Sequence, residues 1–116
     1  MSFLATAAAL AAALSTVDGC TGYTRMPTAT RVGDGWPLMG RGERAAGDAF
    51  TVAWRVRVAV PGNDELAAIE WFDDRWDALF FALTAAGANV DGWAPYVVVT
   101  KQGDVWVYEI ICRTGE

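Results

Sequence analysis

The sequence predicts an α+β domain: a small antiparallel sheet of about four strands packed against two helices. Three observations carry this. The stretch "FTVAWRVRVAV", Phe50 to Val60, alternates apolar and other residues with the period of two that marks a strand with one face on a core. Two other stretches place apolar residues at steps of three and four, as amphipathic helices do. The C-terminal part reads "PYVVVT", "KQGD", "VWVYEIIC", two apolar runs joined by a turn with a glycine at the position where a short hairpin wants positive φ.

The elements follow in chain order. In "SFLATAAALAAALSTVDGC", Phe3, Ala7, Leu10, Leu14 and Val17 form one stripe of a helix, and Gly19 supplies its stop. The same run has the length of a signal peptide, and Cys20 sits where a lipoprotein would be cleaved. Yet no Lys or Arg precedes it and Asp18 lies inside the supposed cleavage motif, so the helix is the preferred reading. A short strand is expected around Tyr23, ended by Pro27. From Val32 to Asp48, "VGDGWPLMGRGERAAGD" shows neither period and is rich in glycine, which predicts a long loop at 32–48.

After the long strand, "PGND" breaks the chain, and Asn63 or Gly62 can cap a second helix that runs to about Ala86 and stops at Gly87. Leu66, Ile69, Trp76, Phe80 and Leu83 make its expected buried stripe; Glu70, Asp73, Asp74 and Asp77 make a wet acidic face. Trp71, Phe72, Leu79 and Phe81 widen the apolar side, so this helix is expected to touch more than one sheet or a neighbouring subunit. Trp54 and Val56 are expected to pack on Ile69, Trp76 and Phe80.

Composition bounds the chemistry. At 116 residues the chain fits one domain, 1–116, and 53% hydrophobic with 20% charged residues argues against disorder. A formal charge of −5 disfavours nucleic acid as a ligand, since phosphate binding runs on clustered cations. With no histidine, His-based acid–base chemistry, His-containing zinc sites and Ser-His-Asp triads are excluded. Cys20 and Cys112 are compatible with one disulfide or two buried thiols, and the reduced reading is preferred. Asp73, Asp74 and Asp77 read as a solvated face, and "GDGWPLMGRG" matches no phosphate loop. Nothing assembles a nucleophile, a base and an orienting group, so we expect no enzyme, no cofactor and no metal.

An interaction module explains more. Six tryptophans are many for this length, and Trp is enriched where interfaces carry their energy. The segment 32–48 is expected to act as a docking arm, ordered on a partner, with Trp36 as its aromatic anchor and Arg41 and Arg44 beside it. Arg55 and Arg57 point the same way from one strand, either as a plain solvated face or as a paired contact for acidic groups on another chain.

In layout the chain resembles the lambda-type tail terminator proteins of long-tailed phages, in particular the actinobacteriophage versions. The likeness rests on the N-terminal helix, the short strand, "GDGWPLMG", the Val/Trp strand ending in "VAVPGND", the helix with "WFDDRWDALFFAL", then "PYVVVT" and a closing hairpin. It spans nearly the whole chain and is one of order and texture, with no invariant signature. It implies a virion structural protein at the tail–head junction, assembled in the host cytoplasm. Its partners would be its own copies in a homo-hexameric ring, the tail tube protein, and a head completion or connector protein. DNA would pass through the lumen only as cargo, which an acidic protein does not trap, and no membrane would be involved. The ring would cap the tube, stop its polymerisation and offer the head-joining surface. The alternatives left open are another small head–tail joining protein and, more remotely, a secreted small-molecule-binding domain or lipoprotein.

Overall fold

Two helices lie on one face of a five-stranded mixed sheet in a computed structural model that describes residues 2–116. The elements are α1 (Phe3–Ser15), β1 (Thr21–Gly22), β2 (Asp34–Arg44), β3 (Phe50–Ala59), α2 (Glu65–Ala85), β4 (Asn89–Thr100) and β5 (Gly103–Gly115). The sheet order is β1-β2-β3-β5-β4, antiparallel throughout except for the short parallel pair β1–β2. The α+β class is thus as the sequence predicts, with one strand more.

The additional strand is the main correction. Asp34–Arg44, expected inside a loop at 32–48, is β2; it pairs with β3 from Gly35↔Val58 to Arg44↔Phe50, with a register shift between Met39 and Gly42. Its glycines hid it, because they serve close packing here more than freedom. A Cβ at Gly35 would lie 2.7 Å from Leu14 Cδ1 and 2.9 Å from the Arg57 carbonyl oxygen, so only glycine lets α1 sit down on this strand. Gly33, at φ 94°, turns the chain into β2, with its N–H donating to the Ala59 carbonyl (2.8 Å) and its own carbonyl accepting from Thr21 N–H (3.0 Å). The strand expected around Tyr23 is shorter and slightly earlier, at Thr21–Gly22.

Both helices are capped as backbone chemistry requires. The Ser2 side chain accepts from Ala5 N–H at the start of α1. At α2 the N-cap is Asp64, which accepts from Leu66 N–H at 3.0 Å, in place of the expected Asn63 or Gly62. Gly87 takes positive φ just beyond α2, as expected, whereas α1 ends before Val17, with Thr16 as its C-cap, so that Gly19, at φ 83°, comes three residues after the cap and is not the stop.

The main core is the space between the helices and the sheet, where Leu10, Leu14, Val56, Val58, Leu79, Leu83, Ile110 and Cys112 are fully buried. Each large side chain there contributes on the order of 1.5–3 kcal/mol by leaving water. The inward face of β3 is as expected for Val52, Trp54, Val56, Val58 and Val60, while Phe50, at the tip, is exposed. The buried stripe of α2 differs from the expected one. It consists of Ala68, Phe72, Leu79, Ala82 and Leu83, whereas Leu66, Ile69 and Phe80 are exposed and Trp76 lies at the margin. Trp54 and Val56 therefore share a core with Phe72, Leu79 and Leu83, not with Ile69 and Phe80. The helix is apolar over so much of its circumference that period alone does not choose the sector. The sector that faces the core combines the small Ala68 and Ala82 with the bulky Phe72, Leu79 and Leu83.

A second, smaller core lies on the opposite face of the sheet. Trp36, Ala59 and Val107 are buried there, with Met26, Val98 and Val105 packed around them. A polar chain closes the other end of the main core: Trp54 Nε1 donates to Thr114 Oγ1 (2.8 Å), which donates to Glu116 (2.9 Å), whose carboxylate also accepts from Thr6 Oγ1 (2.9 Å).

Candidate interaction surfaces

The residues singled out from the sequence separate into three groups. Trp36 is 1% exposed, so it anchors β2 to its own domain and is not a free docking side chain. It falls on the same face as Arg57, opposite the helices, because Trp36 pairs in register with Arg57 and Gly35 with inward-facing Val58. Arg57 is also committed within the chain. Its Nε donates to Glu109 Oε2 at 2.9 Å, both side chains are largely buried, and its guanidinium lies 4.8 Å from the Tyr96 ring centroid. Glu109 stands directly opposite Arg57 on β5, which makes this a cross-strand ion pair. Of the two readings open for Arg55 and Arg57 as a pair, the structure removes Arg57 from any shared outward contact.

Arg41, Arg44 and Arg55 remain exposed. Arg41 makes a surface ion pair with Glu43 at 3.4 Å, a contact of little energetic weight. Arg44 lies 6.0 Å from the Phe50 ring at the tip of the β2–β3 hairpin. Arg55 has no ion pair among the described residues, and its register neighbours Leu38 and Ile111 are partly exposed apolar side chains. Every residue from Leu38 to Phe50 is exposed, so the outer hairpin stands clear of the domain.

A groove missed by sequence reading opens on the other side of the molecule. Its volume is about 360 Å³, and its walls are Ile69, Phe72 and Trp76 of α2 and Trp93, Pro95 and Tyr108 of the sheet, with Glu65 and Asp73 at its rim. The aromatic rings support one another. Phe72 meets Tyr108 edge-on at 4.4 Å, Trp93 stacks on Tyr108 at 5.7 Å, and Phe72 contacts Trp76 at 5.4 Å. Trp93 is nonetheless half exposed. The groove exists because α2 turns Ile69 and Trp76 out of the core. The only available signal was the excess of apolar residues around α2, and it did not say which side they would line. Asp73, Asp74 and Asp77 are exposed, in keeping with a solvated face, and Asp73 reaches the groove.

The outer sides of the helices form a third surface, a shallow alanine-lined trough with Phe81 at its side. Leu4 and Phe81 are among the most exposed large apolar side chains of the molecule.

The cysteines offer no reactive centre. Cys20 and Cys112 are free and buried; desolvation raises both thiols, that of Cys112 to about 11, so neither is a thiolate at neutral pH. At the outer edge of the sheet, two hydrogen bonds from Arg113 hold the Asp91 carboxylate below its ordinary range. No group of three or more metal-ligating side chains comes together among the described residues, and no helix among them is long and apolar enough to cross a membrane. Compared with models of known protein families and with curated proteins, the chain matches none.

Proposed function

We propose that this chain is a tail terminator of the long-tailed phage type, acting as a ring of identical subunits that caps the tail tube, ends its growth and presents the surface to which the head joins. A closed ring is built from heterologous contacts, in which one patch of each subunit meets a different patch of the next. The observation that carries the reading is an uneven distribution of charge along the chain. Up to the end of β3 the chain holds six of its nine cationic side chains, Arg25, Arg31, Arg41, Arg44, Arg55 and Arg57 (the last already paired with Glu109), against four of its fourteen carboxylates, Asp18, Asp34, Glu43 and Asp48. Asp64, Glu65, Glu70, Asp73, Asp74 and Asp77, six of the fourteen carboxylates, lie on α2 and its cap. Such a molecule attracts its own copies head to tail and resists the symmetric face-to-face dimer that would bring like charges together. Layout adds support: α1, the short strand, the long β3, α2 and the closing hairpin follow the order on which the resemblance rests.

The test is tube growth. The tail tube protein from the same virus, polymerised with and without this chain, is measured by electron microscopy. Tubes that stop short with a ring of density at one end are the expected result. Tubes of unchanged length with bare ends would refute the role.

A further inference from the structure

The groove between α2 and β4 has the composition of a site for a cationic side chain. Trp76 and Trp93 offer π-faces, Phe72 and Tyr108 hold those rings in place, and the carboxylates of Glu65 and Asp73 stand at the mouth. A guanidinium over a tryptophan is attracted by the ring quadrupole, more strongly when the contact is dry, and a carboxylate at the rim adds a charge-assisted hydrogen bond. Arginine fits such a wall better than lysine, because its planar group stacks while its edge still donates.

The molecule itself carries a segment of matching chemistry. The outer β2–β3 hairpin is exposed on all sides, carries Arg41 and Arg44, and sets Met39 and Phe50 beside them as exposed apolar surface. Within the subunit these arginines have little to hold them, with one surface ion pair for Arg41 and one long contact with Phe50 for Arg44. The groove is acidic and aromatic; the hairpin, whose Arg41 and Arg44 are balanced by Glu43 and Asp48, offers it Arg44, a cation with no ion pair among the described residues, beside exposed apolar Met39 and Phe50.

We infer that the outer β2–β3 hairpin of one copy docks over the α2–β4 groove of the next, with Arg44 entering between Trp76 and Trp93 and meeting Asp73. This deepens the ring reading and rests on it, since it names the two unlike patches that alternate around the ring. It also accounts for the groove's place beside β4, a sheet edge with no neighbouring strand among the described residues. A hairpin arriving there finds both the groove and open backbone groups.

The test is a charge exchange read by analytical ultracentrifugation, with the melting temperature of each variant as the control for folding. Both sites are exposed, so Arg44→Asp and Asp73→Arg are expected to fold like the parent. Each alone should weaken self-association by roughly tenfold or more, because like charges then face each other. The combined variant should recover most of the loss, and the emission of the groove tryptophans should shift with assembly in the parent and the combined variant only. If both single variants assemble like the parent, or if the combination recovers nothing, this contact is wrong while the ring reading stands. If the parent itself stays monomeric at the highest attainable concentration and also fails to cap tubes, both fall.

Discussion

The two halves of β2 behave as different materials. Residues Asp34 to Pro37 are buried, and Trp36 among them fills the small core on the face away from the helices. From Leu38 to Arg44 the same strand, still paired with β3, is exposed at every position. One half is an anchor and the other is an arm. The difference follows from what lies over each half. The Tyr23–Gly33 segment brings Met26 onto the first half and α1 covers its other side at Gly35, whereas the second half is exposed at every position. A strand can therefore project a surface without being a loop, because its hydrogen bonds to β3 hold its shape while its side chains stay free.

The anchor half should respond most strongly to mutation. Trp36→Ala removes a fully buried ring and should cost about 3–5 kcal/mol, lowering the denaturation midpoint of the separate subunit. A loss of assembly with unchanged stability would contradict the burial described here and return Trp36 to the arm. Arg57→Ala comes next. It strands Glu109 beside the small core, and because the pair is mostly but not wholly buried the expected cost is about 2 kcal/mol, below the range of a fully buried pair. Urea titration of Arg57→Ala, Glu109→Ala and the double variant measures the coupling directly, and additive effects would mean that the pair contributes nothing.

The same comparison shows how far the sequence could be read. The period-two run of β3 and the turn at Lys101–Gln102 were legible because each was a local pattern with one simple cause. The anchor half of β2 was not, since "VGDGW" owes its glycines to α1, distant in the chain, and a close approach between remote elements leaves no local period. Trp36 and Arg57 were singled out as interface residues because exposure on the back face of the sheet is invisible until the segment covering it is known. The exposed state of Arg41, Arg44 and Arg55 was legible from charge alone. The groove was the hardest to foresee. It depends on which sector of α2 turns inward: Phe72, Leu79 and Leu83 are buried with Ala68 and Ala82, while Leu66, Ile69 and Phe80, equally apolar, are not.

Amide hydrogen exchange along β2, in the separate subunit and in the proposed ring, tests most directly the claim that this strand is half anchor and half arm. In the separate subunit the amides of Gly35 and Trp36 should exchange slowly, near the rate set by global unfolding, while those of the outer half should exchange faster through local opening. On assembly the outer half, together with Trp93 and its neighbours on β4, should slow and the inner half should not change. A strand that exchanges uniformly from Asp34 to Arg44, or an outer half indifferent to assembly, would contradict the account.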